Sequence, residues 1–179
     1  PFKFLQLVNY KTKLAQISTF VFDVDGVMTD GKVLILPGQD PIRAFHSKDG
    51  YALQLAIRLG YRVAIITGGT SEAVKERLQS AGVQDIWLGA RHKEEALEEL
   101  MLAYELRAEE IAYMGDDLPD YEVLTRVGLA TCPHDAAPEI RHICDYISPI
   151  KGGEGCVRDL IEQTLKVQGK WNQASDRNW

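Results

Sequence analysis

Residues 19–31 read TFVFDVDGVMTDG, an apolar run rich in aromatic and β-branched side chains that passes abruptly into Asp23, Asp25 and Gly26. A run of this kind fits a short strand buried on both faces. Two carboxylates at its end do nothing for packing, and their mutual repulsion must be offset by a cation, a proton or backbone amides. Standing two apart, they can both approach one loop-enclosed volume where the chain turns at Gly26.

The pattern repeats outward. Segments 62–67 and 111–114 are also short apolar runs, and they end in Thr67-Gly68-Gly69 and in Gly115-Asp116-Asp117. A further short strand is expected near Ile86. Helical periodicity fills the intervals at 51–59, 72–81, 93–106 and 157–168. Ser71 stands where a helix cap belongs, Gly82 where a helix closes, and Pro119 in the first turn of another helix. Strand and helix alternate, which predicts an α/β fold: a Rossmann-like parallel sheet flanked by helices, whose strand ends share one crevice. Segment 32–45, KVLILPGQDPIRAF, departs from the alternation and reads as a projecting β-hairpin turning around Pro37, Gly38 and Asp40. Its apolar arm from Val33 to Leu36 must meet the core or another subunit. The polar tail 170–179 lacks a helical period and is expected to fray.

With 179 residues, 45% of them hydrophobic, and a formal charge of −6, one domain spanning 1–179 is expected. The acidic balance offers no general attraction to nucleic acid or anionic lipid, so a phosphate-bearing substrate must be held by local cations or a metal. No apolar run approaches the ~20 residues of a membrane span, and the start PFKFLQLVNYKTKLAQ lacks the features of a signal peptide. A cytoplasmic protein is expected. Cys132, Cys144 and Cys156 are odd in number and lack CxxC spacing, so they read as reduced thiols. The four histidines have no metal-ligand spacing.

The segment Gly115-Asp116-Asp117-Leu118-Pro119-Asp120 could by itself be a helix cap rich in acid. Together with Asp23 and Asp25 at the same end of the sheet, its hard oxygen donors point to Mg²⁺ rather than zinc. The Thr67 hydroxyl and the following amides, Gly68 included, could bind a phosphate oxygen at a helix start, although the tripeptide taken alone reads rather as a simple strand-to-helix turn. Lys93 opens the helix 93–106, where the helix dipole disfavours a cation, so it calls for an anionic partner. Taken alone among Glu94, Glu95, Glu98 and Glu99 it reads as part of a solvated face.

In order, DVDGV at 23–27, Thr67, Lys93 and GDDLPD at 115–120 resemble the four signatures of the haloacid dehalogenase superfamily of phosphohydrolases. The resemblance implies an aspartyl-phosphate intermediate on Asp23, with Asp25 protonating the leaving alkoxide and then activating water. It implies that Thr67 and Lys93 hold the phosphoryl group. It also implies Mg²⁺ bound by Asp23, the Asp25 carbonyl and Asp116, with Asp117 or Asp120 in support. Neither interval between signatures has room for the cap domain of many members, so a neighbouring subunit is expected to close the site.

The longer string DVDGVMTDG, with the hairpin, HSKDGYAL, GDDLPD and GGEGCVRD, is similar to the capless 3-deoxy-D-manno-octulosonate 8-phosphate phosphatases. That family implies a homotetramer of lipopolysaccharide sugar synthesis acting on a sugar-acid phosphate, with Lys48, Asp49, Gly152, Gly153 and Arg158 near substrate. Departures fall at Gly69 and Glu154, where members often carry basic residues. The GGEG pattern at 152–155 also resembles the related nine-carbon 3-deoxy-nonulosonate 9-phosphate phosphatases. A signalling receiver domain shares an acceptor Asp, a hydroxyl and a lysine, but places its acidic pair before the acceptor. A non-catalytic oligomerisation domain is the third reading, and the presence of Asp25 and Lys93 argues against it.

Overall fold

A computed structural model describes residues 9–177. Its strands are β1 (Thr19–Phe22), β2 (Arg62–Ile66), β3 (Asp85–Trp87), β4 (Ile111–Met114), β5 (Leu129–Cys132) and β6 (Tyr146–Ile147). They form one sheet in the order β3-β2-β1-β4-β5-β6, with every pair parallel. Phe22 lies opposite both Ile65 of β2 and Met114 of β4, and the Asp23 amide extends the ladder to the Met114 carbonyl at 3.0 Å. The register therefore delivers Asp23, Thr67 and Gly115 to the same edge. Strand order reverses between β1 and β4, the position where open α/β sheets form a crevice.

The helices are α1 (Tyr10–Leu14), α2 (Ser47–Arg58), α3 (Glu72–Ser80), α4 (Lys93–Tyr104), α5 (Tyr121–Leu124), α6 (Pro138–Ile143) and α7 (Cys156–Val167). Successive strand residues feed opposite cores. Phe20, Phe22, Val63 and Ile65 pack with α2 and α7 residues such as Leu53 and Leu160. Val21, Ala64, Ile66 and Tyr113 pack with Leu97, Leu100, Val123 and Ile140. Double-sided burial is why these strands read as continuous apolar runs without alternation.

Several elements depart from the sequence reading. Helix α2 begins at Ser47, ahead of the expected 51, because its first turn is tied to α7: the Asp49 carboxylate accepts the Arg158 amide at 2.7 Å. Helix α4 ends at Tyr104, where Glu105 adopts a left-handed conformation, φ 52°. Ser71 holds the expected cap position of α3 in extended conformation, but its hydroxyl makes no capping bond. Pro119 sits in a 3₁₀ turn, Leu118–Asp120, just before α5. Strands β5 and β6, of four and two residues, were not anticipated.

The hairpin is reduced to a single antiparallel bridge between Leu34 and Ile42. Val33, Leu34, Ile35 and Ile42 are all exposed, so the apolar arm does not join the core. Between β1 and β2 lie only this segment and α2, and between β2 and α4 only α3 and β3, so no cap domain is inserted there.

The expectation of a frayed tail is overturned for its described part. Trp171 packs against the core, residues Ala174–Arg177 form a 3₁₀ turn, and the Asp176 carboxylate closes that turn on the Gln173 amide at 2.7 Å. The Tyr51 hydroxyl donates to the Asp176 carbonyl. Side-chain closure of a polar turn leaves no hydrophobic period in the sequence. The last two tail residues, and positions 1–8 of the start read for targeting signals, lie outside the described residues.

Loop 23–30 curls tightly, with the amides of Val27, Met28 and Thr29 all directed at the Val24 carbonyl. Gly26 turns it at φ +86°, and a Cβ there would stand 2.0 Å from an Asp116 carboxylate oxygen. Gly152 backs the same loop so closely that its Cβ would lie 1.9 Å from the Gly26 carbonyl oxygen. Gly152→Ala must therefore displace the backbone of the acidic loop. A loss of about 1–3 kcal/mol is expected from such overpacking, lowering the thermal midpoint by several degrees. An unchanged midpoint on thermal unfolding would show that the loop yields without strain.

Candidate active site

Lys93 is the first residue of α4, yet it is only 3% exposed. Its Nζ lies 2.8 Å from an Asp23 oxygen and 2.7 Å from Asp120 Oδ1. The Tyr113 hydroxyl donates to that same Asp120 oxygen at 2.6 Å, while the other accepts the amides of Asp116 (3.0 Å) and Asp117 (3.5 Å). Asp120 is thus saturated by donors from three elements and acts as a post around which the site is built. The unfavourable charge at a helix start is explained: two carboxylates receive it. Burial opposes the charge on Lys93, but Asp120 and Asp23 outweigh burial and raise its pKa, so it remains an ammonium.

Burial, reinforced by Asp120, pushes the Asp23 carboxyl up to about 6 despite the opposing pull of Lys93. Asp116 is pushed up to about 7 by burial and then by Asp120, Asp23 and Asp117. Burial first, and Asp120 next, drive the Tyr113 hydroxyl well above its ordinary value, which keeps it a neutral donor. One oxygen from each of Asp23, Asp116 and Asp120 falls within a set whose members are all within 4.8 Å of one another. Asp116 forms no ion pair among the described residues. A cluster of carboxylates with insufficient positive charge is the donor set of a hard divalent cation, so the residues fit Mg²⁺.

The remaining candidates divide. Thr67 is buried at the end of β2 and its Oγ1 accepts the Gly69 amide at 3.2 Å, while Gly68 faces open space. Asp25 leans over this loop with its side chain 36% exposed, gripped by Arg43 of the hairpin. Asp117 does not join the carboxylate cluster; it is exposed and turns to cap the Leu118 amide at 2.8 Å. Lys48 is exposed in the first turn of α2. Asp49 is buried against the Arg158 amide, whereas the Arg158 guanidinium pairs with Glu162 at 3.4 Å and lies over the Trp171 ring. Neither side chain contacts the carboxylate cluster of its own chain. Gly152 and Gly153 meet the site through backbone alone, the Gly153 amide donating to the Val27 carbonyl at 2.9 Å.

The geometry agrees with the comparisons to known proteins. Residues 79–158 match the family model of haloacid dehalogenase-like hydrolases. The 3-deoxy-D-manno-octulosonate 8-phosphate phosphatase of Salmonella typhi is 34% identical over 93% of this chain and 89% of its own. This chain belongs to the haloacid dehalogenase-like hydrolases. Within that family it falls among phosphatases, which are phosphoric monoester hydrolases. The crystal structure of the Yersinia pestis phosphatase of the same name superposes with a TM-score of 0.89 at 34% identity, covering 91% of this chain and 88% of that one. The Moraxella catarrhalis phosphatase, solved with magnesium ion, phosphate ion and KDO, gives 0.88 at 32% identity, covering 92% and 95%.

Two residues of this hydrolase site escaped the sequence reading. Tyr113 lay inside an apolar strand and was taken as core; the available signal was that a fully buried tyrosine hydroxyl needs a partner. Arg43 lay in a hairpin that read as surface, and nothing in its neighbours pointed inward. Beside it a groove of about 400 Å³ runs between the hairpin and α3, bordered by Ile42, Arg43, Phe45, Ser71, Val74 and Arg77. Lys93→Met keeps the side-chain stem but leaves Asp23 and Asp120 buried without their cation. Urea unfolding should show a loss of about 3–5 kcal/mol near neutrality. The loss should shrink as the pH falls toward the ordinary carboxylate range, where protonation removes the repulsion.

Proposed function

We propose that this hydrolase is a Mg²⁺-dependent phosphatase of 3-deoxy-D-manno-octulosonate 8-phosphate. One observation carries the reading: a buried Asp23, paired with Lys93 and facing Asp116 at the sheet's crevice, in a chain alike over nearly its whole length to phosphatases of that substrate. In the proposed reaction Asp23 attacks phosphorus in line, the P–O ester bond breaks, and Asp25 gives its proton to the departing alkoxide. Water, relieved of a proton by Asp25, then attacks the aspartyl-phosphate; the acyl phosphate bond breaks and Asp23 is regenerated. Lys93 and the Thr67–Gly68 loop hold the phosphoryl oxygens. Asp23, Asp116 and the Asp25 carbonyl would hold the metal, oriented from behind by Asp120. When bound, the ion supplies positive charge that lets a phosphate dianion approach carboxylates.

The same reading makes residues 1–179 one domain and the protein a cytoplasmic homotetramer of lipopolysaccharide sugar synthesis. The exposed apolar arm at Val33, Leu34 and Ile35 supports assembly, since such a patch calls for a partner. On the same reading Lys48, Asp49, Gly152, Gly153 and Arg158 would lie near substrate in the assembled tetramer.

Phosphate release should be measured on the eight-carbon and nine-carbon keto-deoxy sugar phosphates, hexose phosphates and an aryl phosphate. Preference for the eight-carbon acid is expected. Preference for the nine-carbon acid would move the chain to the sister activity, and no release from any would leave an oligomerisation domain. Asp23→Asn should abolish turnover and Asp25→Asn slow it by about 10²–10⁴-fold, both with the fold intact.

Metal binding carries a separate signature. Asp23 and Asp116 have raised values of about 6 and about 7 against an ordinary 3.8, so without metal they make the fold less stable as pH rises through that window. Mg²⁺ must displace these protons. Its stabilising shift of the thermal midpoint should be larger at about pH 8 than at about pH 5, and absent in Asp116→Ala. A shift independent of pH would place the metal elsewhere.

A further inference from the structure

Arg43 reaches from the hairpin to the crevice and makes a two-pronged ion pair with Asp25, Nε to one oxygen at 2.7 Å and Nη2 to the other at 3.0 Å. Its third nitrogen donates to the Pro41 carbonyl at 3.1 Å, which fixes the direction of the fork. The side chain is only 11% exposed. Beneath it lies Gly69, whose backbone does not require glycine, since its φ is not in the left-handed region. The position a Cβ would occupy at Gly69 lies 3.6 Å from Thr67 Oγ1, 3.7 Å from Arg43 Nη2 and 3.8 Å from Asp25 Oδ2. Hydroxyl, guanidinium and carboxylate thus converge on a space that the missing side chain leaves open.

Charge balance at the crevice makes this convergence informative. Lys93 is already shared between Asp23 and Asp120, so only one of its three N–H donors is left for an incoming anion, and the remaining phosphoryl oxygens need another donor. A guanidinium binds a carboxylate and a phosphate through the same parallel fork. Asp25 currently fills that fork with two oxygens, as a phosphate would.

We propose that Arg43 is a substrate-binding residue of this site, whose fork passes from the Asp25 carboxylate to two oxygens of the phosphoryl group when substrate arrives. Transfer of the fork fixes the phosphoryl group above Thr67 and frees Asp25 to face the ester oxygen. The inference rests on the phosphatase reading for its place in turnover, but it concerns the phosphoryl group and is independent of which sugar is attached.

The test compares wild type, Arg43→Ala and Arg43→Lys, with orthophosphate binding measured by calorimetry in the presence of Mg²⁺ and KM and kcat measured on the sugar-acid phosphate and an aryl phosphate. Arg43→Ala should weaken orthophosphate about tenfold or more and raise KM on both substrates alike, with partial recovery on adding guanidinium ion. Arg43→Lys keeps the charge without the fork and should recover only part of the loss. Unchanged orthophosphate affinity would overturn the proposal, and so would a defect confined to the sugar substrate, which would assign Arg43 to the sugar. A merely structural strap on the hairpin would alter the thermal midpoint or sedimentation without changing orthophosphate affinity in the folded fraction. If Arg43→Ala does not fold, Arg43→Lys carries the comparison. Wild type that binds orthophosphate but turns over neither substrate would sink the phosphatase reading, while the binding data would still decide on Arg43.

Discussion

The ammonium of Lys93, held at 2.7–2.8 Å between Asp23 and Asp120, is the interaction around which the crevice is organised. It joins the end of β1, the start of α4 and the turn before α5, three parts of the chain that have no local reason to meet. A buried cation with two buried anions is costly to assemble and costlier to disassemble, because removal of any member strands the others in a low-dielectric interior. Tyr113 and the amides of Asp116 and Asp117 satisfy the remaining lone pairs of Asp120, which is the condition under which such a network is tolerated. Stability and chemistry therefore draw on the same contacts.

What that network leaves unsatisfied is as instructive as what it satisfies. One ammonium faces three carboxylates, and burial, reinforced by the neighbouring carboxylates, raises the pKa values of Asp23 and Asp116. A site in this condition attracts a divalent cation without a dedicated cage. Asp120, occupied on both oxygens, positions its neighbours, and Asp117 turns away to cap a turn. Four acids of one residue type, within a few positions of one another or across one strand, thus acquire separate tasks from the donors around them.

At the mouth of the crevice the fold is spare. No inserted domain covers it, Asp25 is partly exposed, and the hairpin supplies both a charged side chain that reaches inward and an apolar arm that points outward. One segment so serves two surfaces: Arg43 reaches the 23–30 loop, and Val33, Leu34 and Ile35 face outward. The glycines at 26 and 152 let the 23–30 loop, Asp116 and the segment before α7 approach more closely than any side chain would permit.

The α/β class and the parallel sheet were legible in the sequence, and Asp23, Asp25, Thr67, Lys93 and Asp116 could be singled out there as candidates. Strands buried on both faces leave continuous apolar runs, and a polar residue at the end of such a run has no packing reason to be there. Lys93 was legible only in part, as a charge in the wrong place on a helix. Its two partners lie 70 and 27 positions away in sequence, and only the register of β1 against β4 brings them together. The tertiary structure alone separated Asp120 from Asp117, gave Tyr113 its partner, ordered the described tail through Asp176, and carried Arg43 to Asp25. Local sequence determines which face of a strand or helix is apolar, because that is a matter of period. Which distant donor reaches a given carboxylate depends on how the elements pack, and that has no local period to read.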